Sequence, residues 1–290
     1  MANVKITDLT SLSGALVGAD LFEMVDDVAG TPASRKVTAA VVREYSNMAF
    51  AALTDANFTM AVNTIYVGSM AAWATADRTG TLPATADVGD RCGVILTGGN
   101  ATYELILTAG SGDTLNGIAG GTEWSRVFIT NEVVIMRCIV ANTTWIVEHD
   151  GRIPSYATGY PNDISTNSAA TATVAPLVNA ISDSGGMLDT TTNFRIDIRR
   201  AGNYEINVSM RGLNAPSAAQ AQNVYAYKNG AALLSMQIRT ASTSVEQCAV
   251  AKDFPLAVGD YIQLYFLHTQ VNLGVRGSSQ VTWCGVTEIL

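Results

Sequence analysis

The stretch from 202 to 290 constrains this chain more than any other. Four blocks, GNYEINVSM, VYAYKNG, LAVGDYIQLYF and VTWCGVTEIL, alternate apolar and polar residues, with turn residues between them. A period of two sends successive side chains to opposite faces of a pleated strand, so the pattern predicts a run of half-buried antiparallel strands. The rest of the composition agrees. Hydrophobic residues make up 48% of the 290 and charged residues only 14%. That is too much apolar surface for a disordered chain. A low-charge, Thr/Ser/Asn/Gly-rich β chain suits a protein that buries surface against copies of itself.

Charge is unevenly spread. Residues 1–165 carry 9 basic and 17 acidic groups and residues 166–290 carry 8 of each, so the front part holds the whole formal charge of −8. An acidic front and a neutral back argue against nucleic acid, which needs a clustered basic surface. Cys92, Cys138, Cys248 and Cys284 lack CxxC or Cys/His spacing and sit in or beside apolar runs. They read as reduced, buried thiols rather than metal ligands. No basic segment precedes an apolar one in the manner of a signal peptide, and no long apolar span suggests a membrane helix. Assembly in a reducing cytoplasm is the expectation.

Along the chain, residues 1–48 form a small unit. Leu21–Asp26 reads as a strand, Gly30-Thr31-Pro32 as a turn and Arg35-Lys36-Val37 as the return strand. Thr38 is placed to N-cap a short helix over 39–45. Residues 49–80 are Ala-rich and read as a connector, with Met48–Leu53 continuing that helix and Met70–Trp73 another helical turn. Residues 81–150 form a central β module, with strands at 91–96 and 103–107 and a hairpin of 133–140 with 145–147. Residues 151–165, GRIPSYATGYPNDIS, read as an ordered linker. The β domain of 166–290 follows.

Three segments carry family resemblances. The head order Gly-x-Tyr, Lys-Asn-Gly, Gly-Asp-Tyr and a terminal aromatic-x-Gly strand resembles the C1q/TNF-like jelly rolls. That implies a homotrimer that binds rather than catalyses. ITDLTSLSGALVGADLFEMVDD followed by RKVTAAVV resembles the N-terminal segment of tailed-bacteriophage fibre and virion structural proteins. The series LPATADVGDRCGV, SGDTLNG and TTWIVE is similar to a module between anchor and tip of phage tail fibres. Together they imply a trimeric fibre or spike in the virion, assembled in the host cytoplasm. It would be anchored to other virion proteins by its N-terminus and attached to a host cell-surface receptor, a glycan or a protein, by its head. A capsid head fibre, or a tail or baseplate component with a structural trimeric cap, is the alternative.

No catalytic constellation emerges. His149 and His268 have no sequence-near nucleophile, and no G-x-S-x-G occurs. Acidic residues are scattered, and Val88-Gly89-Asp90 and Val258-Gly259-Asp260 are matching turns whose aspartates are expected to bond turn amides. Asp26-Asp27 and Asp183-Ser184-Gly185-Gly186 do not fit calcium-loop spacing. No cofactor, metal or membrane insertion is expected, and no β-helix repeat is visible. Aromatics at period two, Tyr225 with Tyr227 and Tyr261 with Tyr265, together with Trp283, are candidates for the trimer interface. Loops at 213–219, 241–245 and 268–274 offer Asn214, Ser217, Ser242, Ser244, His268, Gln270 and Asn272 as candidate receptor contacts.

Overall fold

The computed structural model describes residues 21–25, 34–38, 48–164, 171–213, 220–240, 247–268 and 274–290, among which every regular element is a strand. β1 (Leu21–Val25) and β2 (Ser34–Thr38) pair antiparallel, as their sequences suggest. The helix expected over 39–45 lies outside the described residues.

The central module begins earlier than its sequence indicates. β3 (Ala49–Ala52), β4 (Phe58–Thr59), β5 (Thr64–Ser69), β6 (Arg78–Thr81), β7 (Arg91–Gly98) and β8 (Leu105–Thr108) alternate between two sheets. β3, β5 and β7 run parallel in one sheet and β4, β6 and β8 run parallel in the other. The chain thus winds as three rungs of a flattened coil. β9 (Thr114–Leu115), β10 (Ile118–Ala119), β11 (Glu123–Val127), β12 (Val133–Val140) and β13 (Thr144–Gly151) complete the pair of sheets. Their orders are β10-β9-β13-β12-β7-β5-β3 and β11-β8-β6-β4. The reading of 49–80 as a helical connector is therefore corrected. Ala49–Ala52 is a strand beside β5, and Met70–Trp73 is a single turn closed by the Trp73 N–H on the Met70 carbonyl at 2.9 Å. Backbone pairing and burial of Leu53, Met60, Met70 and Trp73 override the helix preference of alanine.

The head comprises β14 (Tyr156–Tyr160), β15 (Thr173–Val174), β16 (Asn179–Asp183), β17 (Leu188–Asp189), β18 (Arg195–Asp197), β19 (Gly202–Arg211), β20 (Gln220–Lys228), β21 (Ala231–Thr240), β22 (Gln247–Leu256), β23 (Tyr261–His268) and β24 (Trp283–Ile289). Five strands form one sheet in the order β16-β14-β24-β19-β22, and β17-β18-β23-β20-β21 is the path of the other. Pairing is nested. β14 lies beside β24, β18 beside β23, β19 beside β22 and β20 beside β21. First-with-last nesting across two packed sheets is the jelly-roll topology. The head thus starts inside the stretch read as a linker, because β14 lies between β16 and β24. Tyr204, Ile206, Val208, Leu264, Phe266 and Val286 fill the space between the sheets.

Candidate binding surfaces and the joint between the two units

The module and the head are joined by buried charge. Arg200 follows β18 and is completely buried. It pairs with Glu132 of the module and, at 2.9 Å, with Glu288 of the head. Its remaining donors reach the carbonyls of Arg126 at 2.7 Å and Ile153 at 3.2 Å. Glu132 also accepts from the Phe128, Ile129 and Ile153 N–H groups, and Glu288 from the Ser155 N–H and hydroxyl. The Tyr204 hydroxyl donates to the Arg200 carbonyl at 2.8 Å, and burial followed by the Glu288 charge pushes its phenol above the usual range. Next to it Arg199 pairs with Glu104 at 2.7 Å and donates to the Asn100, Tyr103 and Gly185 carbonyls. Both guanidiniums lie over the Phe128 ring, at 4.4 and 4.8 Å. A Cβ on Gly185 would come within 2.4 Å of that ring, so only glycine lets the 183–186 turn close on the module. A shallow cleft of about 260 Å³ opens beside this turn, between Gly99–Ala101, Phe128–Thr130 and Asp183–Gly186.

At the other end of the head, the roots of the three candidate loops come together. Arg211 pairs with Gln247, Gln220 with Thr240 and Gln222 with His268. Asn214, Ser217, Ser242, Ser244, Gln270 and Asn272 lie outside the described residues. His268 does not serve as an exposed contact. It is 3% exposed, on the inner face of β23, with its ring stacked 6.1 Å from that of Phe266. The period that turns Tyr265 outward turns His268 inward.

The aromatic candidates separate onto two faces. Tyr225, Tyr227, Tyr261 and Tyr265 share the outer face of the β17-β18-β23-β20-β21 sheet, each half-buried. Tyr225 is directly opposite Tyr265, and Tyr227 stacks diagonally on Tyr265 with centroids 4.0 Å apart. Tyr225 meets Tyr227 edge-on at 5.8 Å, and Arg195 covers the Tyr261 ring at 4.2 Å. Burial, then the neighbouring Tyr227, pushes the Tyr225 phenol up, so it stays a proton donor. Trp283 instead faces out from the other sheet, across from Ser209 on β19.

The matching turns behave as their sequences suggest. Asp90 accepts from the Asp87 N–H at 2.9 Å and Asp260 from the Ala257 N–H at 2.8 Å. Each also takes the side-chain amide of a positive-φ asparagine, Asn63 or Asn229. Gly89 and Gly259 occupy the left-handed position at φ 101° and 85°. Cys92, Cys138 and Cys284 are buried, and burial pushes the Cys284 thiol up to about 12. Among the described residues no three His, Cys, Asp or Glu side chains group as metal ligands.

No family model and no curated protein matches the chain. Solved structures similar to it include TNF-type jelly rolls. Murine APRIL at pH 5.0 is 18% identical over 47% of this chain and 100% of its own, with a TM-score of 0.38. Eiger TNF from S. frugiperda is 13% identical over 48% of this chain and 92% of its own, with a TM-score of 0.37.

Proposed function

We propose that the chain is a non-enzymatic bacteriophage virion protein, a trimeric fibre or spike that docks by its N-terminus and attaches to a host receptor by its head. The observation that carries this reading is the polarity of the molecule. The N-terminal segment leads into the module at Met48, where the exposed apolar side chains Phe50, Val62, Val88, Ile139 and Val140 lie near the ends of adjacent strands. The ionic joint closes the opposite end of the module, and the loop roots sit beyond it, at the far end of the head. A rigid body with an apolar base and a loop-bearing tip suits anchoring at one end and recognition at the other. Three weak sites on such a body gain avidity without any new contact.

Self-association is assigned to the outer face of the five-stranded sheet. Thr158, Ala249, Ala251 and Gly285 are small there, Trp283 faces outward, Tyr156 and Ile289 are 41% and 47% exposed, and the only charged pair directly opposed across β19 and β22 on that face is Glu205 with Asp253. An apolar outer face of this kind also favours the second reading, a head-fibre or a tail or baseplate component whose trimeric head is a structural cap. Two measurements test the proposal. Light scattering of the full chain should give about three times 30.5 kDa. Deleting residues 1–48 should keep that assembly while abolishing incorporation into particles. A monomer at micromolar concentration, or normal incorporation of the deletion, refutes it. Adsorption that survives every substitution in the three tip loops favours the structural cap.

A further inference from the structure

We infer that the tyrosine-lined outer face of the β17-β18-β23-β20-β21 sheet binds a neutral glycan. The inference deepens the attachment reading, and rests on it, by naming the ligand class and moving the contact from the tip to the side of the head.

Two properties of the face select the ligand. The first is charge. Its rim cations are matched, with Arg195 on Asp197 at 2.7 Å and Lys228 on Asp260 at 2.7 Å. The centre holds only Tyr225, Tyr227, Tyr265 and Gln263, with Val174, Ser235 and Ala232 alongside. An uncharged centre with neutralised edges complements an uncharged ligand, since an ionic one would lose hydration with no counter-charge to meet it. The second is area. Four partly buried tyrosines leave at most about 360 Å² of ring surface open, given about 150–250 Å² for a whole aromatic side chain. A stable protein interface needs about 800 Å² on each side. The rings alone fall short of such an interface, which would have to draw on the rest of the sheet face, whereas they suffice for one or two sugar rings.

The chemistry of the patch agrees. None of the four phenol hydroxyls has a hydrogen-bond partner among the described residues, so each keeps a donor and an acceptor to offer. The rings are held in place by stacking, edge contact and the Arg195 guanidinium, so little side-chain entropy is lost on binding. Fixed aromatic edges interleaved with unspent hydroxyls match a pyranose, which offers C–H surface and hydroxyls side by side.

The test uses the purified full chain titrated with maltotriose, cellotriose and chitotriose, and with sialyllactose as the charged control. At least one neutral trisaccharide should bind and sialyllactose should not. Tyr225→Phe with Tyr227→Phe, which keeps the ring stack, should weaken binding by about tenfold per lost hydrogen bond at an unchanged melting temperature. Binding confined to sialyllactose, no binding to any probe, or binding that survives the double substitution overturns the inference. So does a fall in assembled mass in that variant, which would make the face a contact between copies. If the neutral glycans fail to bind while loop variants such as Asn272→Ala abolish adsorption, the glycan inference falls and the attachment reading stands. If the glycan binds with the expected tyrosine dependence but the deletion of 1–48 is incorporated normally, the attachment reading falls alone.

Discussion

Replacing Arg200 with methionine tests the joint directly. The substitution keeps most of the side-chain volume and removes one buried positive charge from between Glu132 and Glu288. All three side chains are essentially excluded from solvent, so nothing screens the two carboxylates left behind. The carbonyls of Arg126 and Ile153 lose their donors as well. Breaking a buried ion pair from one side costs about 3–5 kcal/mol, because the remaining charge stays desolvated. For a body of this size that corresponds to a fall of roughly 6–20 °C in melting temperature. Arg200 is the main ionic tie between the units, so the loss should also uncouple them. Calorimetry of the wild type should show one cooperative transition, and Arg200→Met should show two. Adding Glu132→Gln and Glu288→Gln to Arg200→Met should recover part of the loss, since neutral amides cost less to bury than unpaired carboxylates. A single transition at the wild-type temperature in Arg200→Met would refute the argument that buried charge locks the two units.

Three further outcomes are expected. Asp260→Asn should destabilise the head by about 1–2 kcal/mol at neutral pH. The Asp260 carboxyl sits below its usual range because Lys228, the Ala257 N–H and Asn229 outweigh its burial. Its contribution is therefore complete above the ordinary carboxyl titration near pH 4 and is lost as pH falls through the depressed folded value, so urea melts of variant and wild type should converge at acid pH. In a Cys248→Ser background, Cys92, Cys138 and Cys284 should resist a thiol reagent until the chain unfolds, and rapid labelling of any of them in the folded protein would contradict their burial. Residues 166–290 expressed alone should give no cooperative circular-dichroism melt, because they lack β14 and leave Arg200 and Glu288 facing water, and a sharp transition in that fragment would show β14 to be dispensable.

Some of this architecture was legible from local pattern alone. Strand period two in Tyr261–His268 and Gly202–Arg211, the positive-φ glycines of the two Val-Gly-Asp turns and the turn at Asn142-Thr143 are decided within a few residues. The individual head strands were legible because each alternates at period two, but of the neighbouring pairs in the two sheets only β17-β18 and β20-β21 are consecutive in the chain, so the nested order was carried by the resemblance alone. The coiled winding of 49–108 was not, because parallel neighbours come from distant residues and the rungs differ in length, leaving no repeat to read. Alanine in Ala49–Ala52 favours a helix locally, and only the neighbouring strand reverses that preference. The joint was equally invisible. Arg199 and Arg200 look like ordinary charged turn residues, and their partners Glu104 and Glu132 lie far back in the chain. The four tyrosines were identifiable as one pair per strand, but their common face and Trp283's separation from it depend on which sheet each strand joins. Local sequence sets which side of a strand a residue occupies. Long-range pairing sets what that side meets, and so it alone decided that buried charge bridges the two units and that the four tyrosines share one face.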